Sequence, residues 1–174
     1  MNEEEQIKRA QKGDKRAFEL LLQENYELMF KMAFKYCANK QDAEDITQEA
    51  CIKLARFINT YNFKSAFSSW LYRMVINCGN DFYRKSKQET SIEAKNACSS
   101  KPQAETKTYA NEILRQVYDL PEKEKTALLL VLSDGYTHAQ AAEIMECKES
   151  TVSWYIHEAR KKLLGKNEKE LGHG

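Results

Sequence analysis

The chain has 174 residues, 42% hydrophobic and 30% charged, with a formal net charge of +1 and a mean hydropathy of -0.71. That length holds one domain or two small ones, and so balanced a charge excludes a whole-molecule electrostatic attraction to nucleic acid. Six glycines and two prolines are too few turn residues for a sheet protein, and the stretches between them are rich in helix formers, so the fold is expected to be all-α. The opening "MNEEEQIKRAQKGD" is acidic and lacks an apolar leader segment, and no run approaches the ~18 apolar residues of a membrane span. No membrane insertion is expected, and the chain reads as cytoplasmic.

Residues 15 to 38 carry Phe18, Leu21, Leu22, Met29, Met32, Ala33 and Tyr36 at spacings of three and four, which predicts a long amphipathic helix. Asn39 to Gln41 should break it. A second helix is predicted at about 42 to 58, with Ala43, Ile46, Ala50, Leu54 and Phe57 inward and Glu44, Asp45, Gln48, Glu49 and Ile52 on its other surfaces. After "NTYNFKSAF" a third runs from Ser68 or Ser69 to Arg84, with Trp70, Leu71, Met74 and Phe82 expected in the core. Residues 61 to 90 hold 5 basic against 2 acidic residues, so contact with a polyanion is expected to begin there.

From Lys85 to Lys107 the chain is polar, poor in large apolar residues and contains Pro102, the composition of a linker. A helix is predicted at about 108 to 119. Another follows in "LPEKEKTALLLVLSDG", where Pro121 and the acids Glu122 and Glu124 suit its start and Gly135 its end. Thr137 and Gln140 have capping-box spacing before a short helix bearing Ala141, Ala142, Ile144 and Met145. In the last helix Val152, Ile156, Ala159 and Leu163 fall on one stripe, with Trp154 pointing away from it beside His157 and Lys161. A short helix, a turn at "ECKE" and a longer charged helix form the helix-turn-helix pattern, whose second helix enters a DNA major groove; a plain four-helix packing unit has the same outline. The five cysteines, Cys37, Cys51, Cys78, Cys98 and Cys147, lack C-x-x-C pairing, and the three histidines show no ligand spacing with them. Reduced thiols, no metal and no cofactor are expected.

Five segments in order resemble bacterial sigma-70 family sigma factors of the extracytoplasmic-function group. "DAEDITQEACIKLARFINTY" and "FSSWLYRMVINCGNDFYRK" are similar to the family's D-A-E-D helix and its W-L-Y-R-I-x-x-N-x-x-x-D-x-x-R-K segment. "LPEKEKTALLL", "AAEIM" and "STVSWYIHEARKKL" are similar to its L-P-x-x-x-R, E-I-A and T-V-x-S-R-hydrophobic-x-R-A-R-x-x-L signatures. The resemblance implies a region 2-like domain at 1–85, a linker at 86–107 and a region 4-like helix-turn-helix domain at 108–174. It implies an alternative sigma factor, not an enzyme, that binds the β and β′ subunits of core RNA polymerase, directs it to promoters and helps open DNA. It also implies an anti-sigma factor clamping both domains; no homo-oligomer is expected.

Carried over residue by residue, Asp42, Asp45, Gln48 and Glu49 would dock on the polymerase. Tyr61, Phe63, Lys64, Arg73, Asn77, Asp81, Arg84 and Lys85 would bind the minus-10 element, with Lys87 adding to the phosphate contacts. Lys148, Ser150, Thr151, Ser153, Trp154, Tyr155, His157, Glu158, Arg160 and Lys161 would meet the minus-35 element. Here the chain departs from the family: Ser153, Trp154 and Tyr155 stand where the pattern has a basic residue, Ser and Arg, and Glu158 stands where it has Arg before "AR". Minus-35 affinity then rests on Lys148, Arg160, Lys161 and Lys162, while Glu158 toward cytosine and Trp154 toward a thymine methyl would alter base preference. Alternatively, Trp154 packs on the first domain or a regulator. Two other functions stay open on sequence alone: a conventional helix-turn-helix regulator whose first domain senses or dimerises, and a sigma-like protein acting only through protein contacts.

Overall fold

The computed structural model describes residues 2–92 and 109–171, and all its regular elements there are helical. The chain divides into two compact units, 1–97 and 98–174. The first contains α1 (Glu3–Gln11), α2 (Lys15–Cys37), α3 (Lys40–Phe57), a 3-10 turn (Ile58–Thr60) and α4 (Phe67–Ile92).

Helix α1 was not expected from apolar periodicity, since only Ile7 and Ala10 of its inward face are hydrophobic and buried. Its start is set by Asn2, whose side chain accepts from Glu5 N, with three glutamates in the first turn facing the positive end of the helix. Asp14 then caps α2 by accepting from Ala17 N and pairs with Arg9 Nη2 at 2.6 Å. That amide and the guanidinium together hold the Asp14 carboxyl below its ordinary range. Ala38 ends α2 in the left-handed conformation, φ 53, and Asn39 caps α3 by accepting from Asp42 N. The predicted break is therefore a C-cap followed directly by an N-cap.

Leu21, Met29, Ile46, Leu54, Leu71 and Val75 close the core of this unit. Each such side chain contributes roughly 1.5–3 kcal/mol by leaving water. Gly79 of α4 lies against α2 so closely that a Cβ there would sit 2.8 Å from Cδ1 of Tyr36. Tyr36 in turn donates from its hydroxyl to Asn80 Oδ1. Helix α4 continues past Arg84 to Ile92, so residues 86–92 of the stretch read as linker are helical; residues 93–107 of that stretch lie outside the described residues.

The second unit contains α5 (Tyr109–Tyr118), α6 (Glu122–Leu128), a π-helical turn (Leu129–Ser133), α7 (His138–Met145) and α8 (Glu149–Leu171). Helix α6 is central, with Glu124 to Leu128 all buried. The Thr137–Gln140 capping box is present with both of its hydrogen bonds. Glu146 closes α7 at φ 54, in the left-handed region, which turns the chain toward α8 within the predicted "ECKE". Val152, Ile156 and Ala159 are buried beneath α8.

Among the described residues, no helix is long and apolar enough to cross a membrane, and no group of three His, Cys, Asp or Glu could hold a metal ion. Cys37, Cys51, Cys78 and Cys147 are free thiols; Cys98 lies outside the described residues. Burial pushes the Cys78 thiol up to about 11, which keeps it protonated and unreactive.

Candidate functional site

Three surfaces carry the residues singled out by the sequence. On α3, Asp45, Gln48 and Glu49 are exposed and share one face by their spacing. Ile52 continues that face at i+7 and is 53% exposed. An apolar side chain at the end of an acidic and amide-bearing stripe suits protein contact better than plain solvation, a role that helical spacing alone does not single out. Asp42 stands apart: it is half-buried, and its carboxylate accepts from the Tyr83 hydroxyl at 3.3 Å. Burial raises its carboxyl above the ordinary value. Burial, with the Cys37 thiol and Asp42 beside it, pushes the Tyr83 hydroxyl far up, so it remains a donor. Asp42 therefore helps seat α4 on α3 and offers less to a partner than the other three.

The second surface is a groove of about 390 Å³ lined by Lys53, Phe57, Thr60, Trp70, Arg73, Met74 and Asn77. Trp70, Arg73, Asn77, Asp81 and Arg84 recur along one face of α4, because steps of three and four keep returning to the same side of a helix. Asn77 is exposed on this face, presenting an amide that can both donate and accept. Several expectations need correction here. Phe57, placed on the inner stripe of α3, is 44% exposed, because the helix ends there and the 3-10 turn swings it out. Trp70 and Met74, expected in the core, are half-buried and line the groove, and Phe82 is also only half-buried. Asp81 is engaged by Lys53 at 3.1 Å and Arg84 at 3.5 Å, so its carboxylate organises the basic residues around it.

Tyr61 also needs correction as a contact residue. It is 7% exposed, its hydroxyl donates to Ser65 O, and its ring lies 4.8 Å from Phe63, 5.1 Å from Phe67 and 5.4 Å from Trp70 between centroids. It supports the loop instead of reaching out of it. Phe63 and Lys64 are exposed beside it. Farther along α4, Arg84, Lys85 and Lys87 are exposed, a run of cations suited to phosphates.

The third surface is the outward side of α8. Ser150, Trp154, His157 and Lys161 are exposed, as are Lys148 before the helix and Arg160 within it. Thr151, Tyr155 and Glu158 are half-buried. Trp154 is 55% exposed, its ring 5.3 Å from that of Tyr155. Ser153 is already occupied: its hydroxyl donates to Glu149 O at 3.2 Å and lies 2.8 Å from His138 Nδ1. A hydroxyl has one proton, so with that proton on the carbonyl, Nδ1 is the donor in the second bond. Lys162, expected to compensate for missing basic groups, instead donates to both oxygens of buried Glu124 at 2.7 and 2.9 Å. It joins α8 to α6 and is withdrawn from the outer face.

Known proteins match both helical units of the chain. The family model for Sigma-70 region 2 matches residues 21–90, and that for Sigma-70, region 4 matches residues 110–163. The ECF RNA polymerase sigma-E factor of Haemophilus influenzae is 30% identical, over 92% of each chain. That of Escherichia coli K12 is 31% identical, over 90% of each. The ECF sigma factor SigW of Bacillus subtilis is 27% identical, over 90% of this chain and 92% of that protein. In fold, the chain is similar to the sigma factor RpoE of Bartonella quintana, solved with the anti-sigma factor NepR, at TM-score 0.66 and 19% identity, covering 84% of this chain and 93% of that one. With a relative of this identity spanning nearly its whole length, and both helical units matched in order, the chain belongs to the extracytoplasmic-function group of the sigma-70 family of RNA polymerase sigma factors.

Proposed function

We propose that the chain binds core RNA polymerase in the cytoplasm, directs it to a defined set of promoters and helps to open them, with no catalytic group or cofactor of its own. The first unit docks through Asp45, Gln48 and Glu49 with Ile52, and Asp42 steadies that helix from behind. Its acidic face pairs with basic groups of the polymerase and steers association. Strand opening then needs groups that replace stacking and pairing for an unpaired base. The groove beside Asn77, with Trp70 and Arg73 in its lining, supplies an amide edge, an aromatic face and a cation in one place. This is the observation that carries the reading. Lys64, Arg84, Lys85 and Lys87 hold the backbone nearby.

The second unit meets duplex DNA at the minus-35 element with α8. Because Ser153 and Lys162 are engaged internally, the contacts fall to Lys148, Ser150, Thr151, Trp154, Tyr155, His157, Glu158, Arg160 and Lys161. The expected result is modest affinity with a shallow salt dependence and a preference set by Trp154 and Glu158. The sigma factor RpoE of Bartonella quintana was solved with an anti-sigma factor, and a regulator of that class is assigned here too.

The test is run-off transcription with purified core polymerase on a genomic promoter library. Promoter-specific transcripts above the core-only background are expected. Their absence, with sequence-specific DNA binding retained in the protein alone, would instead favour a conventional helix-turn-helix regulator.

A further inference from the structure

Helix α1 precedes the segment matched by the region 2 model, which begins at residue 21, yet it is tied to the loop that leads into α4. Gln11, its last residue, donates both hydrogens of one amide: from Nε2 to Ile58 O at 2.9 Å and to Tyr61 O at 2.8 Å. One side chain thus clamps the first residue of the 3-10 turn and the residue that follows the turn. One turn earlier, Lys8 Nζ stands 5.4 Å from the centroid of the Phe63 ring, within cation-π range. Phe63 has φ 60, a left-handed conformation that a residue with a bulky side chain adopts only where its surroundings over-determine it. Those surroundings are identifiable. The Tyr61 ring packs on one side, Lys8 covers the ring, and Asn62 Oδ1 accepts from Lys64 N just beyond. Phe63 stays 36% exposed, and its ring connects through Tyr61 to Trp70 of the groove.

We propose that α1 is a positioning element for promoter reading: Gln11 and Lys8 hold residues 58–63 so that Phe63 is presented as an aromatic contact for an unpaired base. A helix that only closed the core would need Ile7 and Ala10, and neither the two-carbonyl clamp nor the cation over the ring. The inference rests on the promoter-opening role proposed above.

The experiment uses the full chain with core polymerase on a promoter selected by the unaltered protein. It reads open-complex formation, discrimination among the four bases at the unpaired position, and core affinity. Gln11→Ala is expected to lower open-complex formation by about tenfold, the loss expected when one aromatic contact to a base is misplaced, and to narrow base discrimination while leaving core affinity unchanged. Phe63→Ala should do the same, and Gln11→Ala added to it should change little further, since the residue acts through that ring. Lys8→Met, at an exposed position, should give a smaller loss of the same kind and keeps the test available if Gln11→Ala does not fold. Independent, multiplying effects of Gln11→Ala and Phe63→Ala, or a loss that follows core affinity, would overturn the inference. If the unaltered protein directs no promoter-specific transcription, the promoter-opening role itself falls, and this inference with it.

Discussion

Replacing Gly79 by Ala sets two opposed effects against each other, and the structure decides which wins. In the interior of an exposed helix the change would stabilise by about 1 kcal/mol, because glycine loses more backbone freedom on folding. At this position the new Cβ would lie 2.8 and 2.9 Å from Cδ1 and Cε1 of Tyr36, whereas carbon atoms rest at about 3.5–4.0 Å. The ring would have to retreat by about 0.7 Å. It has little room, being 4% exposed, bonded through its hydroxyl to Asn80 and next to the ring of Tyr83. Overpacking of this kind costs about 1–3 kcal/mol, so Gly79→Ala should destabilise the first unit by about 1 kcal/mol net, or roughly 4–8 °C in Tm for a domain of this size. The chain has two tryptophans, one in each unit. In a Trp154→Phe background, Trp70 fluorescence during urea unfolding therefore reports on the first unit alone. A midpoint that rises in Gly79→Ala would refute the close approach of α2 and α4 as the reason for glycine here.

Asn77→Ala should reduce opening at the minus-10 element with core affinity intact, whereas Asp45→Ala or Gln48→Ala should weaken core binding; equal loss of core affinity in all three, measured by competition for core, would contradict the division between α3 and α4. Lys162→Met strands the carboxylate of Glu124, whose side chain is only 7% exposed while Lys162 is 42% exposed. Because one partner is half in water, the cost should be about 1–2 kcal/mol, less than for a fully buried pair, and should shrink when Glu124→Gln is added, as read by Trp154 fluorescence in a Trp70→Phe background. Asp42 carries a pKa raised by burial, so its ionised form is penalised in the folded state and stability falls as pH rises from below its unfolded value to above its folded one. Asp42→Asn should accordingly stabilise at pH 7, with an advantage that fades as pH drops through the range where Asp42 itself protonates; a constant difference across a urea titration series from pH 3 to 7 would disprove this.

The long helices were legible because their cores are built from side chains three and four apart, as Met29, Met32, Ala33 and Tyr36 are on α2. What periodicity missed has physical reasons. Helix α1 buries too few apolar groups to show a stripe, although its Asn2 cap and first-turn glutamates were readable as local signals. Helix α4 runs on for nine residues past Tyr83 because Lys, Gln and Glu sustain a helix without burial, so composition alone placed the end too early. At the candidate site, the exposed face of α3 and the outward Trp154 follow from helical angle. The burial of Tyr61, the exposure of Phe57 and the loss of Lys162 to Glu124 do not, since they depend on partners or chain turns that no helical repeat encodes. The bond between Lys162 and Glu124 spans 38 positions.

The His138–Ser153 pair couples the outer side of α8 to α7. Ser153 stands where the family pattern has a basic residue, and its hydroxyl is the shared node between the imidazole of α7 and the Glu149 carbonyl. Placing Arg at 153 alone would remove the acceptor that His138 Nδ1 uses, at a cost of about 1 kcal/mol. Changing His138 alone would gain nothing for DNA. The two positions are thus coupled, and a basic residue is accommodated at 153 more readily when position 138 changes with it than when it changes alone.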